Sequence, residues 1–246
     1  MNDRAAIKGM RSKLPGSLAV LVLLVLLTLL AYQLWLSYRD QVRTAEISTR
    51  NLAAIFETRL DATLRRTDAD LKALAMDIPI AALNQRAIPR YEREVNANLD
   101  SRLFSLEEMA GYRVHDANGD TLYSSDSAHT QRVNIADRAY FRFLRDHPEA
   151  GLVFSEVVTG RSTGRQVLVI VRALRDERGR FLGIVHGLLE LGYYSKQFKS
   201  LDLGSQGVIA LRRSDNHAQV VRWPDVPGDL NKPLAPDHPV VLRLAE

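Results

Sequence analysis

The 246-residue chain contains no cysteine. This absence removes thiol nucleophiles, CxxC redox chemistry and thiolate metal sites, and it is compatible with an oxidising compartment. A surplus of one charge is nearly absent as well: 33 Lys and Arg face 29 Asp and Glu, a formal net charge of +4. Arg4, Lys8, Arg11 and Lys13 against Asp3 place +3 of it within residues 1–13, which leaves the rest of the chain at +1. No cationic stripe with a stacking platform runs through that remainder, so nucleic acid is not an expected partner.

Catalytic motifs are missing too. No GxSxG elbow and no GxxxxGK[ST] loop occurs, so hydrolase and nucleotide-binding readings lack their machinery. The six histidines are dispersed, with no HExxH and no pair at helical ligand spacing. His115, His129, His147, His217 and His238 read as surface or loop residues. His186, on an apolar strand, reads as a core or pocket histidine. Asp68/Asp70 and Glu107/Glu108 fall on helical patterns and read as solvated faces. The expectation is a chain that is not an enzyme, with no cofactor and no metal. With 46% apolar and 25% charged residues, the composition is that of a folded protein rather than a disordered or fibrous one.

What is present is a long apolar run. Leu14 to Tyr38 carries no charge, and Leu18–Ala31 is interrupted only by Thr28. As a helix rising 1.5 Å per residue, residues 14–36 reach roughly 35 Å, enough for a hydrocarbon core of about 30 Å. A cleavable signal peptide is the nearest rival, but the residues after the run lack a small-x-small cleavage pattern. Tyr32, Trp35 and Tyr38 fit an interfacial aromatic belt. The cations of residues 1–13 place the N-terminus in the cytoplasm. Residues 37–246 are then expected outside, as the periplasmic or extracellular part of a single-pass inner-membrane protein.

Residues 39–76 lack proline and glycine, and Val42, Ile47, Leu52, Ile55, Phe56, Leu60, Leu64, Leu71 and Leu74 recur with repeated three-, four- and seven-residue steps from Leu52 onward. The pattern predicts a long amphipathic helix, either a stalk that pairs with a second copy or a helix lying on its own domain. Breaks near Asp77–Pro79 and Pro89 precede a second helix over 91–109. Tyr112–His115 and Thr121–Ser124 flank Asn118-Gly119, a strong hairpin signal. Asp137 is placed to cap a short helix reaching Arg145. Strands at Leu152–Thr159, Gln166–Leu174 and Phe181–Leu189, joined by short polar turns, predict an antiparallel meander, because parallel crossovers need a dozen or more residues. A helix over 190–201, a hairpin at Gly207–Arg212 and Gln219–Arg222, and a proline-rich coil from Pro224 complete an α+β architecture.

Several of these segments together resemble a known family. Gly119–Asp126 (GDTLYSSD), Asp137-Arg138-Ala139-Tyr140-Phe141, Gly160–Arg165 (GRSTGR), Asp176–Gly183 (DERGRFLG), Leu189–Phe198 and Val221–Pro224 are similar to the Cache (PDC-like) extracellular sensor domains. The nearest group is the first module of the double-Cache receptors that precede diguanylate cyclases and histidine kinases. The resemblance covers about residues 40–225. It implies a PAS-like antiparallel sheet flanked by helices, a sensor domain over 37–225 behind a membrane helix at 14–36, and a homodimer formed through the stalk. Residues 226–246 are either a terminal coil or the start of a second module. With no second apolar run and no output motif, the chain is either a sensor fragment or a receptor that signals through a partner.

The family binds small molecules over the central sheet. Carried onto this sequence, the ligand positions are Tyr123, Asp126, Arg138, Tyr140, Phe141, Arg172, His186 and Glu190. Aromatics would wall the ligand, Arg138 would clamp a carboxylate, and Asp126 or Glu190 would receive an ammonium group. The implied ligand is an amino acid or small organic acid. A membrane-anchored structural or protein-interaction domain is the alternative reading.

Overall fold

The computed structural model describes residues 14–104, 106–126, 132–204 and 206–244. The basic tail of residues 1–13 and His129 lie outside them. The chain divides into two units, Met1–Ala62 and Thr63–Glu246.

Helix α1 (Leu14–Asp77) begins in the first unit. The helical segments expected at 14–36 and 39–76 are one helix, since no proline or glycine lies between Ser17 and Asp77. Leu21, Leu23, Leu24, Leu26, Leu27 and Leu30 are all exposed, so the helix is apolar around its whole circumference there. A helix of that kind is long and apolar enough to cross a membrane. Thr28, the one polar residue in its centre, donates its hydroxyl to the Leu24 carbonyl at 2.8 Å, which satisfies it within the helix. Arg39 lies over the Trp35 ring at 4.9 Å.

The second unit is built around a five-stranded antiparallel sheet. Its strands are β1 (Met109–Asp116), β2 (Thr121–Ser124), β3 (Val153–Thr159), β4 (Gln166–Arg175) and β5 (Phe181–Glu190), in the order β2-β1-β5-β4-β3. Two of the hairpin turns use the same device. Asp116 accepts from the Asn118 and Asp120 amides, and Asp176 from those of Arg178 and Arg180, at 2.9–3.0 Å. The glycine that closes each turn, Gly119 or Gly179, takes a positive φ of 84° or 77°.

Strand alternation gives the sheet two different faces. Tyr112 and Val114 of β1 lie on one, with Ile170 and Arg172 of β4 and Val185 of β5. This face receives the last turns of α1 and helix α2 (Ile88–Leu103). Thr63 donates to Glu108 Oε1, Tyr112 Oη to Asp70 Oδ2 at 3.1 Å, and Arg172 pairs with Asp68 at 2.6 Å. Of the carboxylates expected on solvated faces, Glu107 is exposed, whereas Glu108 is buried and Asp68 and Asp70 are tied to β4, β1 and, through Arg102, to α2. On the opposite face, Val167, Val169, Val171, Ile184 and Leu188 pack with Tyr140, Phe141 and Leu144 of α3 (Ala139–Asp146) and with Ile135. Helix α4 (Leu191–Lys199) leads to the separate hairpin of β6 (Ile209–Arg212) and β7 (Gln219–Trp223).

Three expectations need correction. Pro89 does not break the chain; it occupies the first turn of α2, where its missing N–H costs nothing. The helix ends at Leu103, not 109, and Met109 starts β1. Asp137 does not cap α3. Arg138 holds the cap position, while the Asp137 carboxylate turns to Arg161 at 2.5 Å. The tail expected as coil contains a short helix, α5 (Pro239–Leu244).

Gly183 fixes how closely β5 can approach β1. A Cβ there would sit 2.0 Å from the His115 carbonyl oxygen, at a φ of +143° that side chains rarely adopt. Gly183→Ala is expected to cost about 2–4 kcal/mol, read as a fall in the urea midpoint. An unchanged midpoint would show that β5 does not depend on this approach.

Candidate ligand cavity

The face of the sheet that carries α3 also holds a small cavity. Its floor is Arg113 and His115 of β1 and His186 and Leu188 of β5. Its sides are Arg138 and Tyr140 at the start of α3 and the β3–β4 turn at Gly160, Arg161 and Ser162. The β1–β5 register sets Arg113 opposite His186, so the period of two puts Arg113, His115 and His186 on one face. The free volume is about 30 Å³, room for one or two waters. A larger guest requires the arginine side chains at the rim to move.

Three guanidinium groups converge here, and each is held by a neutral oxygen. Arg113, only 7% exposed, donates to the Ser162 hydroxyl. Arg138 donates to the Thr159 carbonyl at 3.0 Å. Arg161 donates to the Asn134 carbonyl and also carries the ion pair with Asp137. Burial lowers the pKa of Arg113, and the Asp126 carboxylate opposes that effect from a distance. Burial pushes the Tyr140 phenol up to about 12, against the influence of Arg138, Arg161 and Arg113, a sign that all three cations lie near it.

The two histidines form a directional chain. His115 Nδ1 lies 3.2 Å from the Gly119 carbonyl, which can only accept, so this nitrogen carries the proton. The Nε2 atom of neutral His115 is therefore an acceptor, and His186 Nε2–H donates to it across 3.1 Å. His186 Nδ1 is left with a lone pair, buried and with no hydrogen-bond partner among the described residues. Burial pushes His115 down to about 4 and His186 well below its usual value, with the neighbouring Arg113 adding to both shifts. His115 had been expected at the surface. It is 1% exposed because β1 is an interior strand and its side chain faces the α3 layer.

Of the eight sequence-predicted site residues, the structure brings Arg138, Tyr140 and His186 to the cavity. Phe141 packs edge-on against Phe181 in the adjacent core. Glu190, at the end of β5, pairs with Arg165 at 2.8 Å. Asp126 borders a separate surface groove with Glu92 and Asp100. Tyr123 and Arg172 lie on the other face, where Tyr123 donates to the Ala82 carbonyl at 2.8 Å and Arg172 holds Asp68. Sequence reasoning missed Arg113, His115, Arg161 and Ser162. Arg113-Val114-His115 did carry a signal, since polar residues alternate there with an apolar one on a strand.

This geometry belongs to a fold seen before. The extracellular domain of rpHK1S-Z16, described as a histidine kinase, is 24% identical and has a TM-score of 0.53, over 77% of this chain and 78% of that one. An extracellular ligand-binding receptor from Desulfohalobium retbaense is 14% identical with a TM-score of 0.52, over 77% of this chain and 32% of that one. The sensory domain of the Campylobacter jejuni chemoreceptor Tlp3 with isoleucine bound is 13% identical with a TM-score of 0.50, over 77% and 72%. No family model matches the chain, and no curated protein matches it in sequence. The chain has the Cache (PDC-like) fold of extracellular sensor domains.

The histidine pair makes stability depend on acid. Unfolded histidine titrates near 6.5, whereas folded His115 takes a proton only near 4, so the unfolded state binds more protons between those values. This contribution is complete above pH 6.5 and falls as pH drops toward 4, by about 3 kcal/mol for His115 alone. Urea unfolding across pH 4–7.5 is expected to show this slope, and His186→Phe to reduce it by the share of His186 while that of His115 remains. A wild-type slope confined to below pH 4 would assign the effect to carboxylates instead.

Proposed function

We propose that the chain is a membrane-anchored, extracytoplasmic sensor module of a bacterial signal-transduction receptor that binds a small molecule, an amino acid or a small organic acid. The observation that carries this reading is the convergence of Arg113, Arg138 and Arg161 on one cavity of a Cache-fold sheet. The chain crosses the membrane once through residues 14–36. The positive-inside rule puts residues 1–13 in the cytoplasm and residues 37–246 outside. Its ligand contacts are Arg113, Arg138, Tyr140, Ser162 and His186, with Asp126 and Glu190 as outlying charges. Tyr123, Phe141 and Arg172 position the layers on either side.

Signalling in this reading runs through β5. His186 walls the cavity, and Gly187, the next residue, faces the other side, where a Cβ would meet Thr67 of α1 at 3.1 Å. A ligand that spreads the cavity side chains shifts β5 against α1, and a movement of about 1–2 Å is the usual size of such a helix shift. The ligand must bind one of two packings more tightly for this to happen. The outward-facing residues of the stalk, among them Ile47 and Ile55, are exposed and are the surface through which two copies would pair.

A protein-interaction domain without a small-molecule ligand is the second reading, favoured by the water-sized volume of the cavity. One experiment separates the two. The full chain in detergent is melted with a library of amino acids and organic acids. A true ligand at a hundred times its Kd stabilises by about 2.7 kcal/mol, a shift of several degrees, and Arg138→Met should reduce it. If no compound moves the melting temperature, the sensor reading falls and the interaction reading stands.

A further inference from the structure

We infer that the cavity selects a small carboxylic acid carrying a hydroxyl group, and discriminates against the amino acid of the same skeleton. The inference rests on the sensor reading above and narrows its ligand class.

The charge of the walls is one-sided. Arg113, Arg138 and Arg161 line the cavity, and no carboxylate is among its lining residues. Asp137 is spent on Arg161 at 2.5 Å and its side chain is 65% exposed, while Glu190 is spent on Arg165. Asp126 reaches Arg113 only through space. An ammonium group entering here would meet three cations, with no carboxylate among the described lining residues to receive it. A carboxylate would meet Arg113, a buried guanidinium whose partner is a neutral hydroxyl, and would give it the charge-assisted bond it lacks.

The hydroxyl follows from the direction of the histidine chain. The Gly119 carbonyl sets the His115 tautomer, His115 sets that of His186, and His186 Nδ1 ends the chain as an acceptor without a donor among the described residues. An unmatched buried acceptor is costly, and a ligand that fills it gains accordingly. A bare carboxylate has no proton to give, and an ammonium has protons but the wrong charge. A neutral hydroxyl satisfies both conditions. The small free volume limits the skeleton to a few carbons.

The test uses the full chain in detergent, with isothermal titration of three matched sets: lactate, alanine and propionate; malate, aspartate and succinate; glycolate, glycine and acetate. The expected result is saturable binding of at least one hydroxy acid. Its amino counterpart should bind about 10- to 100-fold more weakly, the worth of one charge-assisted hydrogen bond, and its deoxy counterpart several-fold more weakly. Arg113→Met should abolish binding. Ser162→Ala, which removes the hydroxyl that holds Arg113, should change affinity and also lower the unfolding midpoint modestly, since it leaves a buried donor unmatched. An amino acid binding as tightly as its hydroxy counterpart overturns the selectivity and leaves the sensor reading intact. So does binding by a different compound of the wider library when all nine acids fail. Failure of every small molecule overturns both.

Discussion

The pairing of β1 with β5 is the constraint from which the rest follows. Arg113 stands opposite His186, and Val114 stands opposite Val185. Because side chains alternate with a period of two, this single register decides which residues line the cavity and which meet the helices. A slip of β1 by one residue would carry Arg113 and His115 under α1, away from His186, and place Tyr112 and Val114 beneath α3. The register is held by backbone shape as well as by hydrogen bonds. Gly183 lets the His115 carbonyl approach to a distance no side chain permits, and Gly187 gives Thr67 and Tyr112 room on the far side.

The two faces are stabilised by different physics. The α3 face is a packed apolar cluster with a polar hole at its edge. The α1 face combines Leu71, Leu74 and Leu99 with a polar lattice of Asp68–Arg172, Asp70–Tyr112 and Asp70–Arg102. These ion pairs are about one-fifth exposed. That places each between the near-zero worth of a surface pair and the 3–5 kcal/mol penalty for orphaning a buried one. Such contacts are directional where apolar packing is not. They tie the last turns of α1 to β4, β1 and α2 in one rotation against the sheet.

Much of the architecture was legible because its signals are local. Asn118-Gly119, Asp176–Gly179 and Gly160–Gly164 mark the turns, and the apolar strands between them leave little freedom except an antiparallel meander. The apolar run before Tyr38 is legible for the same reason. Pro89 misled because proline both starts and stops helices, and only the phase of the following apolar residues tells which. The cavity was harder. Arg172 and His186 are both polar residues on apolar strands, yet the pairing of Val171 with His186 puts them on opposite faces. A cross-strand register is a non-local fact that no window of one strand contains. Arg113 and His115 were within reach, since their alternation with Val114 already assigns them to one side.

Arg113 also shows a place where the fold does not maximise stability. A fold arranged only for stability would set a carboxylate against a guanidinium that is 7% exposed; here Ser162 stands in that place. Arg138 is likewise held by a carbonyl, and the histidines beneath are neutral at physiological pH, with the terminal nitrogen unmatched. Each of these choices costs folding free energy, and they all lie within one cavity. Unmatched polar groups gathered at a single point are what the proposed ligand site would require. Neutral oxygens hold Arg113 and Arg138 in place without cancelling their charge, so the proposed anionic ligand would meet donors already oriented and lose little to reorganisation.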